Sequence, residues 1–446
     1  MSEVAAVRPT HIRPRPVAGR AVSAPFDGER LSLWAAATAV AMLPLLVPGG
    51  PSNLAPVDLL IVIALGAAML WTSLSGHRWR FPYVAPMALF VVGGAIGALR
   101  GPVPGTGVLA LVQDVLLLLW CWALVNVASS PQRFSVLIRT WAYSSIGWAL
   151  VLFAGLVTGT RALTGQSGSE GVRTALTFVD PNNAANYFFI ALMVIWATQC
   201  PRNRNRRLAA YALLLAAIFT TGSSGGLVSL AVGGGVAALF GIARRWGPTP
   251  AISAAALGAV ALFALHSAVS FSSIQNAAAQ SKYAFVRDGL GRGAQSVESR
   301  QSLLQQSAGL YDGSGALGSG PVSTKTRLRN EQAPIVKEAH DDYVAALLER
   351  GVIGFAGLVL LFAGLFVRSA RFSTEPLSHA FARAVPKPHA LAGAVVGTFV
   401  VASVYEVLHM RHIWTLYAFV AALSIFGRES LRPAAVGRRP NASDAE

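Results

Sequence analysis

The chain has 446 residues, of which 54% are apolar and only 13% are charged, and its formal net charge is +16. This balance lies outside the usual range of soluble proteins and predicts a polytopic membrane protein. The positive charge does not indicate nucleic-acid binding, because most Arg residues lie in short turns between apolar runs, where they set membrane topology. The two cysteines, Cys121 and Cys200, show neither a disulfide nor a metal-binding pattern.

Twelve apolar runs follow one another along the chain, each near the length of about 20 residues with which a helix crosses a bilayer. They lie at 31–48, 54–74, 82–99, 107–128, 134–157, 183–199, 208–221, 225–243, 251–270, 343–367, 389–408 and 412–427. The pattern predicts an all-α polytopic membrane protein with about 12 transmembrane helices.

The distribution of positive charge predicts the orientation of these spans. With the N-terminus inside, the short inner loops contain thirteen Lys or Arg residues and the short outer loops contain four. Positive residues collect in cytoplasmic loops, so the count supports cytoplasmic termini. The predicted organisation is a cytoplasmic basic tail at 1–30, spans one to nine at 31–270, an extracytoplasmic loop at 271–339, spans ten to twelve at 340–427 and a cytoplasmic tail at 428–446.

The predicted loop 271–339 is too long for an ordinary turn, which indicates either a functional or a disordered segment. Its content favours function, since it includes a helix-like piece, SVESRQSLLQQSAGL, and a Gly-rich turn, GSGALGSGP. It also contains eight Lys or Arg residues against five acids. Long outer loops are exempt from the topological charge rule, so this basic charge suggests either an anionic ligand or attraction to anionic lipid headgroups.

His340 lies where that loop meets the tenth apolar run, in the sequence HDDYVAALLERGVIG. Neutral imidazole can take a proton from an alcohol near neutral pH, and a helix start offers backbone N–H groups to a phosphate. Asp341 and Asp342 would also simply complement the helix dipole. We expect the polar segment to continue into the apolar helix without a break. Glu349 would then lie roughly opposite His340 around the helix, with a structural role.

Two more polar segments lie at predicted outer ends of spans. The sequence GVRTALTFVDPNNAANYF places Arg173 shortly before Asp180-Pro181-Asn182, where helix capping alone would explain the Asp and Asn. The turn TTGSSGGL, at Thr220–Leu227, has small residues that permit close approach of a ligand or of another helix. Both segments are therefore candidate parts of a site, with capping and packing as the alternatives.

The connection between the last two predicted spans, YEVLHMRHIW, concentrates ionisable residues at a membrane surface. Glu406, His409, Arg411 and His412 fall within seven positions. Asp58 and Asp114 each lie one or two turns below the outer ends of spans two and four. Ionisable groups within spans usually face a bundle interior or a water-filled cavity, so we predict a pocket that opens outward.

Between Arg173 and Leu365 these segments, taken in order, resemble the O-antigen ligase and Wzy polymerase family of lipid-linked glycan transferases. RTALTFVDPNNAANYF resembles the family's Arg and Asn-Pro-Asn entry to a span, and TTGSSGGLVSL its small-residue turn. SRQSLLQQSAGLYDGSGALGSGP is similar to its loop helix and Gly-rich turn. HDDYVAALLERGVIG resembles its most specific signature, a His-Asn pair followed by Glu-x-Gly.

The resemblance implies a GT-C-like helical fold in the cytoplasmic (inner) membrane of a bacterium, with an extracytoplasmic active site. It implies an inverting glycosyltransferase that needs no metal and no other cofactor. The donor would be a polyprenyl-diphosphate-linked glycan, the acceptor a hydroxyl of a glycan or lipid, and membrane lipids the surroundings. His340 matches the base that deprotonates the acceptor hydroxyl, and Arg300 matches a diphosphate-binding arginine of the loop. Polymerase and ligase share these residues.

Two positions depart from the family pattern. The family turn reads Ser-Arg-Gly, and its Arg supplies a second diphosphate ligand, whereas this chain has Ser224 at that position. In the second departure, Asp341 follows His340 where the family has Asn. Arg173 or Arg411 could replace the missing charge. The residues predicted to bind substrate are Arg173, Asn182, Ser223, Ser224, Asp341, Arg411 and His412.

The alternative from a different class is a multi-span transporter or a lipid-linked sugar flippase, because twelve spans with both termini inside is a common transporter arrangement. Transporters place their polar site near the midplane, often between repeated halves. Here the polar groups are predicted at the outer ends of the spans and the large loop lies in only one half, which favours glycan transfer.

Overall fold

The computed structural model of the protein describes residues 27–47, 54–166, 172–268, 271–282, 286–287, 302–311, 315–336 and 340–428. Within these ranges the chain is helical and contains no β-strand. The helices are α1 (Gly28–Ala41), α2 (Pro56–Ser75), α3 (Val84–Arg100), α4 (Pro104–Val127), α5 (Pro131–Thr158), α6 (Arg161–Thr164), α7 (Pro181–Thr198), α8 (Arg204–Thr220), α9 (Ser224–Trp246), α10 (Pro248–Ala268), α11 (Phe271–Ala279), α12 (302–311), α13 (Thr324–Asn330), α14 (Asp342–Thr374), α15 (His379–Ala384), α16 (His389–Ala402) and α17 (Arg411–Phe426).

Local sequence signals account for several helix starts. Proline occupies the first turn of α2, α4, α5 and α7, where its missing N–H has no intrahelical partner to lose. Side chains of Ser130, Asp180, Asn203 and Ser223 accept hydrogen bonds from the first-turn amides of α5, α7, α8 and α9. The capping expected at Asp180 is therefore present.

Each of the twelve predicted apolar runs coincides with one of the long helices. Five of them, α2, α4, α5, α9 and α14, are long and apolar enough to cross a membrane by length and composition, in a search confined to the described residues. The predicted helical structure is thereby confirmed for the described residues, and the apolar helices agree with a membrane protein. The number of twelve spans and their orientation stay predictions.

The centre of the bundle is formed by α7 and α17, whose side chains are buried on nearly every face. Aromatic residues dominate there, with Trp141, Tyr187, Trp414, Tyr417 and Phe419 almost completely inaccessible. A helix that is apolar on all sides must be surrounded by others, and α4, α5 and α16 pack around these two. The outer helices instead keep large apolar side chains exposed, as lipid-facing helices do.

Helix α14 is not the unbroken helix expected from the sequence. Gly351 has φ 66° and ψ −171°, a conformation available essentially only to glycine, and it divides α14 into a short first part and a long apolar second part. The Gly-rich turn docks at this break. Ser319 N donates to Leu348 O over 3.0 Å, Gly320 N to Glu349 O over 2.8 Å and Val352 N to Ala316 O over 2.8 Å. The turn thus satisfies backbone groups that the break leaves without helical partners.

The segment before α14 has a small core of its own. Leu303 and Leu310 of α12, Leu328 of α13 and Leu348 of α14 are buried against one another. Arg327 also donates to Leu310 O over 2.9 Å, which ties α13 to α12. The described parts of this segment are therefore packed onto the start of α14.

Candidate active site

A cavity of about 350 Å³ lies where α13 and the Gly-rich turn meet the beginning of α14. Its walls come from α3, α4, α13, the first part of α14 and the connection between α16 and α17. Ten side chains with polar or charged groups line it: Gln113, Asp114, Lys325, His340, Asp342, Glu349, Arg350, Tyr405, Glu406 and His409. Asp114, Glu406 and His409, which the sequence placed at the ends of separate spans, are thus gathered with His340 around one space.

His340 lies at this cavity immediately before α14. Its backbone has φ 50°, a left-handed conformation that is uncommon for a residue other than glycine. Its N–H donates to Glu406 Oε1 over 3.2 Å, and its ring stacks on that of Tyr405 with a centroid distance of 5.3 Å and an interplanar angle of 22°. The connection between α16 and α17 therefore holds both the backbone and the ring of His340.

The start of α14 is held by its two acids. The Asp341 carboxylate accepts hydrogen bonds from Tyr343 N and Val344 N, which makes it the N-cap. Burial raises the pKa of the Asp341 carboxyl, and the two amides oppose that shift. The Asp342 carboxylate accepts from Val407 N over 2.9 Å, so it fastens α14 to the α16–α17 connection.

Glu349 also lines the cavity, contrary to the expected position on the opposite face from His340. The expectation assumed that His340 belongs to the helix, whereas α14 begins at Asp342 and His340 is left-handed. The Glu349 carboxylate accepts from Val322 N, Thr324 N and Thr324 Oγ1 over 2.8, 3.2 and 2.7 Å. It therefore holds the start of α13 against α14, in agreement with a structural role.

Two buried ion pairs involve the aspartates noted near the span ends. Arg350 lies 2.8 Å from Asp114 at the cavity wall, and its guanidinium stacks over the Phe90 ring at 3.9 Å. Arg411 Nε donates to Asp58 Oδ1 over 2.8 Å, and both side chains of this second pair are about 95% buried. Buried charges need such partners because an isolated one is strongly disfavoured away from water.

A second polar cluster lies beside the cavity and contains three predicted substrate-binding residues. Arg173 Nε donates to Thr221 O over 2.8 Å, and Ser223 Oγ donates to Asn182 Oδ1 over 2.8 Å. Tyr405 joins the cluster to the cavity, because its hydroxyl donates to Asp180 Oδ2 over 2.8 Å while its ring stacks on His340. Ser223 also caps α9, of which Ser224 is the first residue.

The structure does not bring Arg411 and His412 to the cavity lining. Arg411 is held by Asp58, and His412 is 1% exposed with its ring edge-on to Tyr187 and Phe178. Their neighbours Glu406 and His409 line the cavity instead. The sequence identifies the ionisable cluster, but the orientation of the turn before α17 determines which of its residues reach the cavity. Arg300 lies outside the described residues.

Of the ten polar residues that line the cavity, only His340 is among the site residues selected from the sequence; Lys325, Tyr405 and Glu406 are examples of the others. Lys325 was one of eight basic residues in a long segment, with no local signal to separate it from the others. Glu406 carried a weak signal, since a carboxylate at the end of an apolar run is unusual. Among the described residues, no group of three or more His, Cys, Asp or Glu side chains is arranged to hold a metal ion.

Comparison with known proteins identifies a segment that contains part of this site, including five of its ten polar lining residues. Residues 209–359 match the family model described as O-antigen ligase, whereas a search of curated proteins found no match. The matched segment includes Ser223, Ser224, Lys325, His340 and Asp341 and ends within α14. The resemblance seen in the sequence is confirmed over residues 209–359, which match the O-antigen ligase family model and include part of the apolar helices.

Proposed function

We propose that the protein transfers a glycan from a polyprenyl-diphosphate-linked donor to a hydroxyl acceptor at the outer face of the bacterial cytoplasmic membrane. The observation that carries this proposal is the position of His340, inside the family-matched segment and at a polar cavity next to apolar helices. Such a cavity accepts a polar reacting group while the polyprenyl chain stays among the lipid-facing helices.

His340 is proposed as the general base. Neutral imidazole takes the proton of the acceptor hydroxyl as its oxygen attacks the anomeric carbon of the donor sugar. The bond from that carbon to the diphosphate oxygen breaks, and polyprenyl diphosphate leaves with the electron pair. Attack from the face opposite the leaving group inverts the anomeric configuration. Two contacts support this assignment. The stacking on Tyr405 orients the His340 ring, and the hydrogen bond from the backbone N–H of His340 to Glu406 fixes the backbone that carries it.

The remaining proposed roles concern the diphosphate and the sugars. Arg300 is proposed to bind the donor diphosphate through its guanidinium, on the ground of the family resemblance alone. Arg173, Asn182 and Ser223 form the adjacent cluster behind Tyr405 and are proposed to contact the donor or acceptor sugar. The cavity volume of about 350 Å³ suits a sugar with its diphosphate, while a longer glycan would extend out of it.

The test is glycan transfer by the His340→Ala variant in reconstituted membranes with a polyprenyl-diphosphate-linked glycan. Loss of an oriented general base lowers turnover by about 100- to 10,000-fold. Expression and membrane insertion should equal those of the wild type. His379→Ala is the matched control, since His379 is an exposed histidine in α15, away from the cavity. Full activity of His340→Ala would remove the base assignment.

A deletion strain distinguishes the two family activities. Envelope glycans that stop at a single repeat unit would indicate a lost polymerase, whereas long unattached lipid-linked chains would indicate a lost ligase. A strict requirement for a divalent metal that survives chelation controls would overturn the metal-independent reaction.

A further inference from the structure

A second cleft borders the same Gly-rich turn as the His340 cavity. Its volume is about 630 Å³, it lies between the end of α3 and the end of α13, and it shares no lining residue with the first cavity. Gly318 and Ser319 line this second cleft, whereas Pro321 and Val322 line the His340 cavity. The Gly-rich turn is therefore a short wall between two neighbouring spaces.

Helix α3 runs past both spaces and gives their separation. Phe90 lines the His340 cavity and Arg100 lines the second cleft, so ten residues, or about 15 Å of helix, lie between them. The turn packs directly on this helix, because a Cβ added to Gly97 or Gly101 would collide with backbone of α14 or of the turn. Only a ligand extended over about that length could occupy both spaces.

The exposed polar side chains of the second cleft are chemically mixed. Arg100, Asn330 and Glu331 line it and are exposed. A guanidinium only donates hydrogen bonds, a carboxylate only accepts them, and an amide does both. Sugar hydroxyls also donate and accept, so this set matches a glycan. A phosphate-bearing lipid headgroup matches it less well, since the Glu331 carboxylate repels a like charge.

The wall that carries two of these side chains is held in place. Glu349 accepts from the N–H and the hydroxyl of Thr324 at the start of α13, and Arg327 Nη2 donates to Leu310 O over 2.9 Å. Asn330 is the last residue of that helix. Groups on a fixed backbone lose less conformational entropy when a ligand arrives, so the cleft is preorganised for binding.

We propose that the second cleft binds sugars of the donor glycan that lie beyond the reacting sugar, and that it thereby sets a preference for long donors. This inference rests on the proposed function, which places the reacting sugar at His340. The first cavity holds little more than one sugar with its diphosphate, so the rest of the glycan must leave it. The cleft behind the Gly-rich turn offers that part a polar surface.

The experiment measures transfer by the full-length protein in phosphatidylcholine vesicles with two polyprenyl-diphosphate-linked donors. One donor carries a single sugar and the other a glycan of several repeat units. Loss of two hydrogen-bonding groups in the double variant Arg100→Ala, Asn330→Ala should raise KM for the long donor by about 5- to 100-fold. Its kcat should stay the same, because such contacts are equal in the ground and transition states. Kinetics with the single-sugar donor should not change.

Two further variants complete the comparison. Asn330→Gln keeps the amide and should retain most of the affinity for the long donor. Arg329→Ala is the matched control, since Arg329 is an exposed residue of the same helix that does not line the cleft, and it should behave as the wild type.

Each contrary outcome has a distinct meaning. An active wild type with an unchanged KM for the long donor in the double variant overturns this inference and leaves the proposed function in place. Equal losses with both donors also overturn it, since a structural role would not depend on glycan length. A loss seen only in vesicles with phosphatidylglycerol assigns the cleft to lipid headgroups instead. A wild type that transfers neither donor overturns the proposed function as well.

Discussion

The buried pair of Asp58 and Arg411 allows a quantitative test of how the second and last long helices are joined. Arg411 Nε and Nη2 contact the two oxygens of the Asp58 carboxylate at 2.8 and 2.5 Å, and the side chains are only 4% and 6% exposed. Asp58 Oδ2 also accepts from Ala55 N over 2.8 Å at the start of α2. The perturbations are Arg411→Met, Asp58→Asn and the double variant. Asn keeps an acceptor for the Ala55 amide.

Each single change leaves one charge buried without its partner. Such a loss destabilises a protein by about 3 to 5 kcal/mol, whereas removal of both charges together costs much less. If the two singles acted independently, the double variant would lose about 6 to 10 kcal/mol. Since the residues form one unit, we expect the double variant to be no less stable than either single, with a coupling free energy of at least about 3 kcal/mol.

The assay is the apparent free energy of unfolding from denaturant titration in mild detergent, supported by thermal unfolding. Additive effects of Asp58→Asn and Arg411→Met would refute the reasoning. So would an Arg411→Met variant of wild-type stability that no longer binds the donor, because Arg411 would then act on substrate rather than on Asp58.

The break in α14 and its N-cap give two further predictions. Gly351→Ala places a Cβ against Ala316 O in a conformation that disfavours L residues, so it should destabilise the protein by about 1 to 3 kcal/mol or more and reduce glycan transfer. Gly364→Ala, in the same helix but with open space around an added Cβ, should stay within about 1 kcal/mol of the wild type in the same unfolding assay, and equal effects would contradict the role of the break. Burial raises the pKa of the Asp341 carboxyl above its ordinary 3.8, so the folded state favours the protonated side chain. The stabilisation from this protonation is fully present below the unfolded-state pKa and is lost as pH rises through the folded-state pKa. Unfolding measured against pH should therefore show Asp341→Asn gaining stability relative to the wild type as pH rises from about 4, and a constant difference would refute this.

Local composition was sufficient to locate the twelve long apolar helices. Each of the twelve apolar runs contains a helix, because hydrophobicity over about 20 residues is a property of the run itself. The capping by Asp180 could also be expected, since an N-cap depends on a few adjacent residues. The match over residues 209–359 likewise agrees with motifs that are contiguous in the chain.

The break at Gly351 could not be foreseen from its own surroundings. Glycine occurs often in apolar helices of this chain, and Gly364 in the same helix stays helical. What distinguishes Gly351 is the Gly-rich turn, whose backbone bonds with Leu348, Glu349 and Val352. Those bonds form only when residues some thirty positions apart meet, so no local pattern reports them.

The sequence by itself indicated a helical membrane protein, placed His340 at the start of an apolar helix and showed the resemblance to the O-antigen ligase family that residues 209–359 confirm. Only the tertiary structure decided that His340 shares a cavity with Lys325, Tyr405 and Glu406, and that Arg411 turns towards Asp58. The physical reason is that the helical pattern depends on neighbouring residues, whereas the partner of a buried charge depends on how the helices pack. The direction in which each turn faces, set by the whole bundle, determines whether an ionisable side chain meets a ligand or another charge.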